Sequence, residues 1–274
     1  MVKKKCNISN VNKICKDIKD IKIQGATNIA KAALKAYYFC PGKKIKNKLL
    51  KLRPTEPMLS HVLDIIDKKS KQEILNHFSE AQEEINKSVY KLIKSNSVIF
   101  THCHSTNVIK ALIYSKKKGK KFEVYNTETR PLYQGRKTTK ELKNNKIKTT
   151  QFVDAAASIA LTKEQGTRKV SLVLLGADAI LKNGVINKVG SGMISQIAYD
   201  EKIPVYIVAD SWKNSPSSVK LEQRDFDEIW KNAPKNIKIK NMAFEMVEPK
   251  HIKGIVSELG ILSFKEFLRK VKKK

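Results

Sequence analysis

From Ser97 onward the chain alternates short apolar runs with amphipathic helical stretches, and this alternation limits its fold more than any other feature. Strands are predicted at 97–100, 122–126, 170–175 and 204–208, the last two being apolar enough for burial on both faces. Helical patterns fall at 107–117, after Gly135 and at 193–200. Strands that alternate with helices imply βαβ units and a parallel sheet. In such sheets ligands bind beyond the carboxyl ends of the strands, where the loops begin. The unusual residues of this chain cluster in those loops.

The preceding stretch has a different texture. Helices are predicted over 28–39, where NIAKAALKAYYF runs into the breakers Cys40-Pro41-Gly42, over 55–67, opened by Pro57, and over 71–94. Apolar residues recur there at helical spacing: Met58, Val62, Ile65 and Ile66, then Ile74, Phe78, Ile85, Val89 and Leu92. The expected class is α/β, with an N-terminal helical domain at 1–95 and a Rossmann-like catalytic domain with a mainly parallel sheet at 96–274. A chain of 274 residues can bury such cores without disulfide or metal staples.

Cys6, Cys15, Cys40 and Cys103 show no CxxC or zinc-ribbon spacing, so free thiols in a reducing, cytoplasmic compartment are expected. No run approaches the roughly 18 apolar residues of a membrane span. The start MVKKKCNISN lacks the apolar centre of a signal peptide. A formal charge of +29 invites a nucleic-acid partner. Only six of the 55 basic residues are arginine, however, and the lysines are scattered rather than interleaved with aromatics. The charge reads as solvated surface, with weak, salt-sensitive affinity for RNA and attraction of anionic metabolites as open alternatives, and a specific nucleic-acid partner is not expected.

Three loops carry candidate chemistry. After the first strand comes Thr101-His102-Cys103-His104-Ser105-Thr106-Asn107. A cysteine between a strand end and a helix N-terminus sits where the helix dipole favours an anion, which predicts a thiol pKa below its usual value and a reactive Cys103. The bland alternative is an inert buried thiol. Successive residues of a strand end point opposite ways, so Cys103 and its two flanking histidines do not converge on one metal, and neither metal nor cofactor is expected. After the strand at 170–175, Asp178 at a buried strand mouth predicts a desolvated carboxyl with a raised pKa, suited to general acid catalysis. Capping a turn is its plainer alternative. The glycine-rich stretch Asn187-Lys188-Val189-Gly190-Ser191-Gly192 offers flexible backbone and a cation to a phosphate or a sugar. Arg130 and Arg136 flank the 131–135 segment as candidate bidentate groups, with structural ion pairing an equal alternative. Lys213 follows the last apolar strand within reach of the same ligand.

Taken in order, these segments resemble one superfamily: archaeal ribose-1,5-bisphosphate isomerases, methylthioribose-1-phosphate isomerases and the regulatory subunits of translation initiation factor 2B. The strings that carry the resemblance are QGATNIAKAAL at 24–34, THCHS at 101–105, NTETRPLYQGR at 126–136, GADAILKNGVINKVGSG at 176–192, VADSWKNSP at 208–216 and NMAFEMVEPKHIKGIVSELG at 241–260. The translation-factor subunits typically lack the cysteine and carry Glu in place of the aspartate. Cys103, Asp178 and the RPTEP string at 53–57 therefore resemble the isomerase branch, and its ribose-bisphosphate subgroup in particular.

That resemblance implies conversion of ribose 1,5-bisphosphate to ribulose 1,5-bisphosphate in AMP and nucleoside salvage. Asp178 would protonate the ring oxygen and Cys103 would take the C2 proton. Gln24, Gly25, Ala26, Arg53, Ser105, Thr106, Arg130, Asn187, Lys188 and Lys213 would contact the sugar phosphate. It also implies AMP as a candidate activator and assembly as a homodimer or homohexamer. Three positions depart from the pattern: Gln24 stands where the family usually has Arg, and His104 and Thr106 where the bisphosphate enzymes usually have Asn and Lys. Each lost charge-assisted bond to phosphate is worth roughly 1.5–3 kcal/mol, so either another residue replaces it or the ligand carries a single phosphate. The alternative is a non-catalytic regulatory or nucleotide-binding subunit like those of translation initiation factor 2B.

Overall fold

The computed structural model describes residues 6–53, 56–216 and 218–273; Pro54 and Thr55 of the RPTEP string lie outside them. Five helices come first: α1 (Ile8–Lys19), α2 (Ala26–Phe39), α3 (Lys43–Leu50), α4 (Pro57–Ile65) and α5 (Lys71–Leu92). Pro57 opens α4, where its missing N–H is not needed. Ser70 and Glu73 close a reciprocal capping box on α5. Buried alanines of α2, Ala26, Ala30, Ala33 and Ala36, let it pack closely in a core shared with Val11, Leu49, Leu59, Leu63 and Ile74.

The strands and helices that follow are β1 (Ser97–Thr101), α6 (Thr106–Lys117), β2 (Phe122–Thr127), α7 (Gln134–Asn144), β3 (Lys148–Phe152), α8 (Ala157–Leu161) and β4 (Val170–Leu175). Then come β5 (Ala179–Leu181), β6 (Gly184–Lys188), α9 (Ser191–Asp200), β7 (Val205–Val208), β8 (Phe244–Val247), β9 (Gly254–Ser257), β10 (Gly260–Leu262) and α10 (Phe264–Lys272). The main sheet has the order β10-β9-β7-β4-β1-β2-β3, parallel except for the antiparallel edge β10. Side chains alternate across it. Phe100 and Val173 face a layer that includes α8, α9 and α10, whereas Ile99 and Leu172 face one that includes α6, α7 and the second half of α5. Thus Ile85 and Val89 of α5 belong to the sheet's covering layer while Ile74 and Phe78 belong to the helical core.

The strand order locates the binding crevice. From β1 the chain runs outward through β2 to β3, then returns to place β4 on the other side of β1. This reversal opens a gap beyond the carboxyl ends of β1 and β4, where no crossover covers it. Cys103 leaves β1 and Asp178 leaves β4. A second, antiparallel sheet β5-β6-β8 stands at this end and holds the Asp178 backbone through its N–H to Ile186 O, 2.8 Å.

Two expectations need correction here. Cys6 and Cys40 are joined in a disulfide, Cα atoms 4.5 Å apart, and only Cys15 and Cys103 are free. The pairing follows from the α1–α2 hairpin, which sets the start of α1 beside the end of α2, with Asn7 N–H donating to Phe39 O at 3.0 Å; a separation of 34 residues carries no motif that would reveal it. The glycine-rich stretch is also no open loop at its start, because Asn187 and Lys188 end strand β6 and pair with β8. Among the described residues no helix is long and apolar enough to cross a membrane.

Candidate active site

Cys103 sits in the left-handed region, φ +66°, a conformation that needs support for a residue with a side chain. That support is explicit. Its N–H donates to Thr129 Oγ1 at 3.0 Å, and its carbonyl accepts from Thr138 Oγ1 at 2.8 Å. Thr129, itself at φ +62°, is held by Asp154, whose carboxylate accepts the Thr129 and Arg130 N–H groups at 2.8 and 2.6 Å. The neighbouring imidazoles are spoken for: His102 Nε2 bonds Val189 O at 2.8 Å, and His104 Nδ1 bonds Thr138 Oγ1 at 3.1 Å. Glycine at 176 is enforced by space, since a Cβ there would lie 2.7 Å from the Ser105 side chain.

Cys103 and Asp178 line one cleft, about 930 Å³ of atom-free space continuous with solvent. Gln24, Gly25, Ala26, Arg53, Ser105, Thr106, Asn187, Lys188 and Lys213 line it too. Two helix N-termini enter it. At α2, Gly25 adopts φ +83° and no side chain caps the helix, so its first-turn N–H groups are left for a ligand. At α6, Ser105 caps weakly, accepting from Val108 N at 3.5 Å. Among the described residues five Lys or Arg side chains line the cleft, Lys137 and Arg224 being the two unforeseen ones, against the carboxyls Glu56, Asp178 and Glu222. Lys213 is buried and donates to Ala177 O at 2.6 Å; Arg53 Nε donates to Glu222 Oε1 at 2.8 Å. The balance of dipoles and charge suits a phosphorylated ligand.

Other expectations fare differently. Arg130 does not line the cleft: it bonds the Tyr133 hydroxyl and Ile229 O, because the Asp154-pinned turn directs it outward. Arg136 pairs with Glu128 at 2.8 Å and lies over the Tyr133 ring. The amides of Gly190 and Gly192 are not open to phosphate, since Glu245 Oε1 accepts both at 2.7 and 2.6 Å. The Gln24 amide donates to Ile21 O at 2.8 Å. The Cys103 thiol is not activated in this cleft. Burial pushes it up to about 11, outweighing the lowering by Lys188 and the His104 N–H. A single helix dipole does not offset the loss of water around the sulfur. Burial likewise raises the Asp178 carboxyl, against Lys213, Lys188 and Arg53.

Glu56 escaped the reading of the sequence, although it lies within the RPTEP string. It is 3% exposed, and its Oε2 has no hydrogen-bond partner. Nothing in composition or periodicity marks a lone glutamate before Pro57 as buried. Away from the cleft, His77, Asp210 and Glu258 bring ligand-type atoms within 4.8 Å of one another. They are engaged already: His77 Nε2 bonds Asp210 Oδ1 at 3.1 Å, while Asp210 and Glu258 accept the Trp212 and Ser211 N–H groups. With His77 stacked on Trp212, this group clasps α5 to the sheet.

Comparison with known proteins agrees with this architecture. The family model described as the Initiation factor 2 subunit family matches residues 7–264. The chain is 30% identical over 296 aligned residues to the ribose 1,5-bisphosphate isomerase of Methanocaldococcus jannaschii, covering 96% of this chain and 94% of that one. It is 27% identical to the putative translation initiation factor eIF-2B subunit 2-like protein of Pyrococcus furiosus, over 92% and 96% of the two chains. Among solved structures, translation initiation factor eIF-2B from Pyrococcus horikoshii gives a TM-score of 0.82 at 26% identity, over 92% and 96% of the two chains. The 5-methylthioribose 1-phosphate isomerase of the same organism shares the fold, with a TM-score of 0.77 at 21% identity, over 96% and 87%. With a match that spans nearly its whole length, the chain belongs to the initiation factor 2 subunit family.

Proposed function

We propose that this protein is a sugar-phosphate isomerase that converts ribose 1,5-bisphosphate to ribulose 1,5-bisphosphate. The observation that carries the reading is a thiol and a carboxyl from adjacent strand ends in one cation-lined cleft. Protonated Asp178 donates to the ring oxygen as the bond from C1 to that oxygen breaks. The Cys103 thiolate takes the proton from C2, leaving an enediol-type intermediate. The thiol then returns its proton to C1 while the C2 hydroxyl gives its proton to the Asp178 carboxylate. Both groups end as they began. The N-termini of α2 and α6, with Arg53, Lys188 and Lys213, hold the phosphates.

The test is incubation of the purified protein with ribose 1,5-bisphosphate and assay for the ketose. Cys103→Ser and Asp178→Asn each lower kcat by about 10²- to 10⁴-fold; full activity in both variants refutes the mechanism. With the free thiol near 11, the thiolate fraction below that value grows about ten-fold per pH unit. Turnover therefore rises with pH from the acid side until the carboxyl begins to lose its proton.

The Gln24 amide, bonded to Ile21 O, and the protonated thiol favour a second reading, a non-catalytic nucleotide-binding subunit. Tight AMP binding without turnover of any sugar phosphate supports it.

A further inference from the structure

The edge of the main sheet opposite the cleft gathers lysines that lie far apart in the sequence. Each crossover between parallel strands returns the chain to the same end of the sheet, so the residues that lead into the strands come to lie in a row. In sheet order that row is Lys253 before β9, Lys202 before β7, Lys169 before β4, Lys94 before β1, Lys121 before β2 and Lys146 before β3. All six are exposed, and among the described residues none of their ammonium groups makes a hydrogen bond or an ion pair. At about 4.8 Å per strand the row is on the order of 25 Å long. Backbone bonds tie its turns together: the Asn96 N–H donates to Lys121 O at 2.6 Å and the Lys253 N–H to Val205 O at 2.8 Å. The Arg168 guanidinium adds a bond to Asn96 O, also 2.8 Å.

Two observations set the row apart from ordinary solvated charge. The carboxyl ends of α5, α6 and α7 reach the same edge and favour cations, but Lys91, Lys117 and Lys143 already stand in those last turns. The row therefore exceeds what the helix dipoles call for. Lys146 and Lys202 adopt the left-handed region, φ +57° and +55°, where glycine is relaxed and a lysine is strained. Acids do not cancel the charge: Glu123 is buried between Lys148 and Arg168 at 3.3 and 3.2 Å, and Glu164, Asp200 and Glu201 are too few.

We propose that this amino-terminal edge binds single-stranded RNA through its phosphate backbone, independently of base sequence and of the reaction in the cleft. Lysine offers phosphates a point charge without the bidentate base readout of arginine. Exposed Asn96 and Asn144, whose side-chain amides make no hydrogen bond among the described residues, suit the 2′-hydroxyls. Among the described residues the turns that carry the row expose no large apolar side chain, so a bilayer has nothing to take up there.

The test is fluorescence anisotropy of labelled oligouridine titrated with the full chain, from about 50 to about 200 mM KCl. The logarithm of the association constant falls linearly with that of the salt concentration, with a slope of about −4 when each lysine of the row engages one phosphate. The quadruple variant Lys94→Gln, Lys121→Gln, Lys169→Gln, Lys253→Gln makes the slope shallower by about 0.7 per residue and weakens binding several-fold per residue at the lowest salt. Removing the same charge from the helical unit, with Lys13→Gln, Lys16→Gln, Lys43→Gln and Lys44→Gln, leaves the affinity within about two-fold, because salt screens those distant sites. Lys146→Gly and Lys202→Gly weaken RNA binding without lowering the unfolding midpoint. Equal losses in the two quadruple variants, or a slope near zero, overturn the proposal. Tighter binding to oligothymidine, or to phosphatidylserine vesicles, overturns RNA as the partner. A lower midpoint with RNA affinity intact in the glycine variants returns those lysines to a folding role and overturns it as well.

Discussion

Asp154 illustrates how a remote residue fixes the thiol proposed to react. It accepts two consecutive N–H groups, Thr129 takes up the Cys103 N–H, and Thr138 takes up from the other side by donating to the Cys103 carbonyl. The chain of bonds keeps a left-handed cysteine at the mouth of β1. Asp154→Ala leaves the Thr129 and Arg130 amides unpaired, costing roughly 1–3 kcal/mol of stability. It also loosens the sulfur, lowering kcat by roughly ten- to a hundred-fold, as displacements on the order of 1 Å do. Denaturant unfolding and the isomerase assay read the two effects separately. Cys103 and Asp178 were legible in the sequence because each follows an apolar strand. Asp154 and Glu56 were not, since their importance lies in partners 24 and 25 residues away, or in burial alone.

At the scale of elements, the strands at 97–101, 122–127, 170–175 and 205–208 and the helices α2, α4 to α7 and α9 could be read from periodicity. The edge strands β3 and β10, the small sheet β5-β6-β8 and the helices α1 and α3 could not. Lys148–Phe152 is mostly polar and half-exposed, so no apolar run marks it as a strand. The 187–192 stretch looked like a ligand loop because its asparagine, lysine and glycines suit one; pairing with β8 makes Asn187 and Lys188 the end of a strand. The same pairing brings Glu245 onto the N-terminus of α9, where its charge meets the helix dipole. Glu245→Gln lowers stability by roughly 1–2 kcal/mol, measured by urea unfolding, because the bonds to Gly190 and Gly192 lose their charge assistance. Unchanged stability would show that the amides find an equal partner.

Across the whole molecule, the helical unit and the sheet meet along α5, which supplies both cores, and at the His77–Asp210–Glu258 clasp. The Cys6–Cys40 disulfide closes the far end of the α1–α2 hairpin, whose near end carries Gly25 into the cleft. Loop closure over 34 residues is worth about 3–4 kcal/mol on a chain-entropy account. Reductant, or the pair Cys6→Ser and Cys40→Ser, therefore lowers the unfolding midpoint while leaving Cys103 in place; an identical midpoint with and without reductant counts against a structural disulfide. By itself the sequence determined the α/β class, the parallel central strands and the two strand-end loops with the thiol and the acid, because burial of apolar runs is a local and periodic signal. The tertiary structure alone decided the disulfide, the outward turn of Arg130, the occupied glycine loop, the burial of Glu56 and the raised thiol. Those depend on which distant groups desolvate or pair with which, and no local pattern encodes that.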